Sequence, residues 1–180
     1  MRTERLEAFT DGVMAILITI MVLEFKVPHG SFMADLRPLF PTFLSYLLSF
    51  VYLGIYWNNH HHLFKAAAQV DGSVLWANLH LLFWLSMVPF VTAWMGENHF
   101  ETVPVCIYGC VALLAAIAYY VLQRVLAVDV GRDLKGRLSP ALYAIAIPLA
   151  FLNRWISVAL YVTVALIWLV PDRRLERQFA

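Results

Sequence analysis

The sequence predicts an all-α membrane protein with six transmembrane helices, and three observations carry that expectation. Apolar residues make up 62% of the chain and charged residues 14%, against roughly 45–50% and about 25% in soluble domains; the mean hydropathy is +0.72. The 180 residues give room for about six or seven helices of ~20 residues with short connections. Basic residues gather on alternate connections, as they do when a chain crosses a bilayer repeatedly. A soluble globular enzyme, a disordered chain and a nucleic-acid binder are poor fits. The net charge is only +1, so no bulk field recruits a polyanion.

The first span covers about residues 9–25. Arg2 and Arg5 ahead of it mimic a signal peptide, but no small-x-small cleavage site follows, and the run ends in Glu24, Lys26 and Pro28. It is expected to be a retained first helix. The second span covers about 39–57 and the third about 75–95, with Pro89 inside it. The fourth, about 103–126, holds the two cysteines, Cys106 and Cys110. An i, i+4 pair on one helix is poorly placed for a disulfide, so both are expected as buried thiols. The fifth span is about 138–152 and the sixth about 155–170, separated only by Asn153 and Arg154. This spacing reads as a tight helical hairpin; a single long helix kinked at Pro148 is the alternative. No internal repeat is visible, so the chain is expected to be one six-helix unit.

With six spans, one side of the membrane receives Arg2, Arg5, Lys65, Arg124, Arg132, Lys135, Arg137, Arg173, Arg174 and Arg177. The other receives Lys26, Arg37 and Arg154, and its connection at 96–102 has Glu97 and Glu101 with no base. The excess places both termini in the cytoplasm.

The first span is the most informative. Asp11 is an ionisable group at the inner end of a membrane helix, where a carboxylate needs protein or water around it. Stepping about 100° per residue from Ile16, Ile20 falls near 40°, Leu23 near −20°, Gly12 near −40° and Thr19 near −60°, while Asp11 falls near 220°. One face is therefore a branched apolar stripe with one hydroxyl beside it, and the carboxylate lies opposite. The second span ends in Trp57, Asn58, Asn59, His60, His61 and His62, and the third opens with Trp76, Asn78 and His80. These groups share the depth of Asp11. His61, Asn78 and His80 are the expected partners of its carboxylate, with Arg5 or Trp57 as further candidates, in a polar lock joining three helices.

Arg5, Phe9, Thr10, Asp11 and Gly12, followed by the apolar run to Leu23, resemble the signature of the lysosomal potassium channel family (transmembrane protein 175) and its bacterial relatives. Tyr56, Trp57 and His61 at the end of the second span, and Asn78 and His80 in the third, are similar as well. Thr10 stands where the family more often has serine, which keeps the hydroxyl. The resemblance implies a potassium-selective channel in a bacterial inner membrane, assembled as a homotetramer with the first helix lining a central pore. It implies a constriction at Ile16, Ile20 and Leu23 and an influence of Thr19 on selectivity. It also implies that no carbonyl selectivity filter is used, and no Thr-Val-Gly-Tyr-Gly string occurs in the chain. Potassium would then be the permeant ion rather than a cofactor, and the partners would be further copies of the chain and the lipid bilayer.

Two other readings compete. Three consecutive histidines point about 100° apart on a helix, so His60, His61 and His62 cannot converge on one metal ion; no metal and no enzyme activity are expected. A small secondary transporter, with a proton-coupled site around Asp11 and the histidines of the second and third spans, is the stronger alternative. Such folds use broken helices and repeats; the chain has Pro89 and Pro148 at mid-depth but no repeat. Trp84, Trp94, Trp155 and Trp168 need only an interfacial-belt role. Glu24, about 80° off the stripe, reads as a solvated helix end.

Overall fold

A computed structural model of the chain describes residues 3–65, 70–127 and 134–169. Among these residues every regular element is helical: α1 Thr3–Ile20, α2 Phe40–Lys65, α3 Gly72–Ser86, α4 Val88–Glu97, α5 Thr102–Val125, α6 Leu134–Leu149 and α7 Arg154–Leu169, with 3-10 turns at Met21–Glu24 and Met33–Leu39. Four runs, Thr3–Glu24, Met33–Lys65, Gly72–Glu97 and Thr102–Val125, are long and apolar enough to cross a membrane, and Leu138–Leu149 and Arg154–Leu169 are shorter apolar helices. Several basic residues behind the orientation lie outside the described residues, among them Arg2, Arg132, Arg173, Arg174 and Arg177, as does residue 170 at the end of the sixth span.

α1 tightens into its 3-10 turn and stops at Phe25, which is extended. Pro28 follows, and it disfavours helical geometry in the residue before it. α2 runs eight residues past the expected end at Trp57, to Lys65. His60 and His61 continue the helix with their rings partnered on α3 and α1. α3 starts at an N-cap: the Asp71 carboxylate accepts from the backbone N–H of Ser73 at 2.9 Å and of Val74 at 3.0 Å, which satisfies two of the helix's orphan donors.

The expected third span is two helices. Pro89 has no N–H to offer the turn before it. The backbone tightens at Met87, whose N–H bonds Trp84 O at 3.2 Å, and α4 starts one residue later. The expected hairpin of the fifth and sixth spans is present. Asn153 Oδ1 caps α7 by accepting from Trp155 N at 2.9 Å. The two helices run antiparallel, with Ser157 Oγ donating to Ala146 O at 2.7 Å and Trp168 Nε1 donating to Ser139 Oγ at 2.7 Å.

α5 is the hub of the bundle, touching α3, α4, α6 and α7. Small residues permit the closest approaches. A methyl group on Gly96 of α4 would sit 2.7 Å from Thr42 Cα of α2, and one on Gly109 of α5 would overlap the Tyr161 hydroxyl of α7. Deep in the bundle Thr92 donates to Val88 O at 2.6 Å. That commits its only proton, so Ser49 Oγ donates to Thr92 Oγ1 at 2.6 Å and accepts from Tyr108 OH at 3.0 Å. This hydroxyl chain joins α5, α2 and α4 without a charge. The cysteines are free and half-buried on α5, more accessible than expected. α1 packs against α2, α3 and α4, and this leaves one of its faces uncovered.

Candidate functional site

The two faces of α1 divide sharply. Leu6, Thr10, Met14 and Leu17, with Met21 beyond, recur at spacings of three and four and are buried. That is the period of one helix face. On the other side Ile16 is 59% exposed, Ile20 38% and Leu23 77%. Leu23 lies in the 3-10 turn, where the step per residue is nearer 120° than 100°, yet it stays on the open side. Phe9, Gly12 and Thr19 share this side; a methyl group on Gly12 would meet nothing. The Thr19 hydroxyl is bonded to its own helix, 2.9 Å from Ala15 O and 3.0 Å from Ile16 O. Other helices expose apolar side chains too, among them Phe83, Phe90, Ile145 and Leu166; what sets α1 apart is that its open face carries the stripe and its hydroxyl.

Three rungs hold α1 in this rotation. Trp57 donates its indole N–H to Asp11 Oδ1 at 2.9 Å. One turn away on both helices, His61 Nδ1 lies 2.9 Å from Glu7 Oε1. Between these two rungs, Asn78 of α3 donates its amide to Thr10 Oγ1 at 2.9 Å, and its Oδ1 lies 2.8 Å from His60 Nε2. With the amide in that sense, Nε2 of His60 carries the proton. Thr10, His60 and Asn78 are buried, and the His60 ring stacks on Phe64 at 4.4 Å.

The residues expected to gather on Asp11 are therefore dispersed. Trp57 reaches the carboxylate, while His61, Asn78 and His80 do not. Asn78 serves Thr10, which lies about 100° from Asp11 around α1, so one short side chain cannot serve both. His61 is turned to Glu7. His80 accepts from Trp84 Nε1 at 3.0 Å, four residues along its own helix on an exposed face. Arg5 is exposed, and Phe9 lies with the open face rather than in the network. Glu7 and His60 are the members that sequence reasoning missed. Glu7 is one turn before Asp11, as His61 is one turn after Trp57, and that matched spacing is the signal that pairs them. The three histidines diverge as their 100° step demands, and among the described residues no group of three potential ligands is placed to hold a metal.

At the opposite end two ion pairs tie the connections: Lys26 Nζ to Glu97 Oε1 at 2.7 Å and Arg154 Nη1 to Glu101 Oε2 at 2.6 Å. The Glu97 carboxylate, through its hydrogen bond and its charge, holds the exposed Lys26 amine above its usual pKa.

The model of the family described as endosomal/lysosomal potassium channel TMEM175 matches residues 5–89, the stretch that holds the open face and all three rungs. A potassium channel of Chryseobacterium sp. strain P1-3 is 50% identical over 183 residues, covering 96% of this chain and 95% of the relative. The chain belongs to the TMEM175 family. The crystal structure of a lysosomal potassium-selective channel TMEM175 homolog from Chamaesiphon minutus superposes with a TM-score of 0.84 at 33% identity, over 93% of this chain and 96% of that one. The likeness therefore extends through α5, α6 and α7, beyond the first-helix signature. The human relative, named an endosomal/lysosomal proton channel, is 41% identical over 73 residues, 34% of this chain and 14% of that protein. TMEM175 relatives are named as channels rather than enzymes, and this chain is a multi-pass membrane protein of that family.

Proposed function

We propose that this TMEM175 chain forms a potassium-selective channel in which four copies place the open face of α1 around a central pore. The carrying observation is that Ile16, Ile20 and Leu23 are exposed on a helix held to the bundle by the buried stripe of Leu6, Thr10, Met14 and Leu17. Four copies would turn each of these positions into an apolar ring. Such rings dewet the path and force an ion to shed or squeeze its hydration shell. Selectivity then rests on side chains rather than on a carbonyl filter, and Thr19 is the one hydroxyl beside the rings. Its proton is committed to the Ala15 and Ile16 carbonyls, so toward an ion the oxygen can act only as an acceptor. The polar rungs set the rotation of α1 and so the register of the rings.

The reading places the protein in a bacterial inner membrane with both termini cytoplasmic, supported by the distribution of basic residues. Reconstitution in planar bilayers tests it. A reversal potential near the potassium equilibrium value in mixed potassium and sodium supports the channel. Flux that saturates with substrate and is stoichiometrically coupled to protons replaces it with the transporter. Mass determination of the purified assembly tests the tetramer.

A further inference from the structure

Between α2, α5, α6 and α7 lies a narrow cleft that opens to the surface, lined by no residue of α1. Its walls are aromatic, from Tyr56, Tyr119, Tyr143 and Trp168, with the small Ala116 between them. Polar tips of these rings are engaged by the protein: Tyr119 OH donates to Asn59 O at 3.1 Å and Trp168 Nε1 to Ser139 Oγ at 2.7 Å. What remains for an occupant is a mostly apolar slot, with Gln123 also in its lining.

The rim has a different character. Tyr120 lines the cleft, and the Arg124 guanidinium lies 5.1 Å over its ring with Nε 2.8 Å from its hydroxyl. These contacts fix a cation at the cleft edge on an exposed side chain. Lys135 adjoins Gly136, another lining residue. Ile117, Val121 and Leu138, each next in sequence to a lining residue, are exposed apolar side chains, which in a bilayer would turn the entrance toward hydrocarbon at the basic end of the bundle. Basic pockets between helices at the cytoplasmic side are matched by anionic headgroups. We infer that the cleft takes one acyl chain of an anionic phospholipid, with its phosphate held by Arg124 at the rim.

The test uses the whole channel in nanodiscs and the fluorescence of Trp168. Phosphatidylglycerol brominated on its acyl chains is compared with brominated phosphatidylcholine of the same chain length, and the signal of Trp168→Phe is subtracted. The expected result is quenching of Trp168 at about fivefold lower mole fraction of the anionic lipid, the preference one basic residue provides near a membrane surface. Arg124→Gln should bring the two lipids level, while Ala116→Phe, which fills the slot, should remove Trp168 quenching by both. Variants that do not assemble are replaced by Tyr120→Phe, which keeps the ring and frees the guanidinium, and which should weaken the preference for phosphatidylglycerol. Equal quenching by the two lipids in the unmodified protein overturns the inference. So does quenching that persists unchanged in a folded Ala116→Phe channel, or protection of Trp168 by inorganic phosphate alone.

Discussion

The indole N–H of Trp57 meets the Asp11 carboxylate at 2.9 Å, four residues along each helix from the 2.9 Å contact of His61 with Glu7. Two antiparallel helices are thus pinned twice, one turn apart, and a helix pinned twice cannot rotate about its axis without breaking both contacts. Asp11 is in this sense a setting screw for the open face.

Removing the screw should change assembly rather than ion preference. Trp57→Phe keeps an aromatic ring, smaller than the indole, and deletes the donor, which costs about 1 kcal/mol for a contact this exposed. Asp11→Ala loses the same bond. Both variants should show lower thermal stability or tetramer yield in detergent, while surviving channels keep the reversal potential of the parent. A stable Asp11→Ala assembly with altered selectivity would place Asp11 in the ion path instead. An Asp11→Asn channel that assembles but loses a proton-dependent step would make it a relay.

The buried rung should be the more sensitive one. Asn78→Leu leaves the His60 N–H and the Thr10 hydroxyl without their shared partner inside the bundle, a loss of roughly 1–3 kcal/mol per stranded group. Thr10→Ser retains the accepting hydroxyl and should be nearly silent, while Thr10→Val should behave like a weaker Asn78→Leu. Thermal unfolding followed by size-exclusion fluorescence orders the three.

Ile16→Asn or Ile16→Ala should wet or widen the ring, raising conductance and weakening discrimination among monovalent cations. Ile20 and Leu23 variants should do the same to a smaller degree. Thr19→Val keeps the volume and removes the hydroxyl, so it should move the potassium–sodium reversal potential more than the conductance. An Ile16→Asn channel with unchanged current and reversal potential removes Ile16 from the narrow part of the path.

Gly96→Ala and Gly109→Ala should each destabilise the bundle by about 1–3 kcal/mol, because the added methyl meets the Thr42 backbone in one case and the Tyr161 hydroxyl in the other. Gly54→Ala is the control. A methyl there meets nothing, and alanine should match or exceed glycine in a helix interior.

Acid should act at the α3 cap. The Ser73 hydroxyl and the Val74 N–H, both hydrogen-bonded to Asp71, hold its carboxyl below its ordinary value of 3.8. A lowered folded-state pKa means that the cap stabilises fully above the unfolded value and fades as pH falls through the folded one. The advantage of the parent over Asp71→Ala in unfolding temperature should therefore be flat at neutral pH and shrink below pH 3.8.

The spans and the two faces of α1 were legible because hydropathy and a 100° step are properties of single helices. What Asp11 touches was not, because a helical wheel has no information about the register of one helix against another. Trp57, His61 and Asn78 all stood at the right depth, and only the packing decides that Asn78 faces Thr10. The same blindness hid Glu7 and His60, whose roles exist only once α1 and α2 are laid antiparallel. Pro89 did announce trouble in the third span; that the helix breaks at Met87 rather than bending follows from the backbone.

α6 carries a consequence for the bilayer. Its apolar stretch is Leu138–Leu149, about 18 Å of helix at ~1.5 Å per residue, against a hydrocarbon layer of about 30 Å. Such a shortfall is met by thinning the surrounding leaflets or by lifting flanking amines, here Lys135, toward the headgroups. A bilayer should therefore thin beside α6 while keeping its full depth beside α2. The protein should tilt toward thin bilayers and away from thick ones, a hydrophobic mismatch confined to one flank.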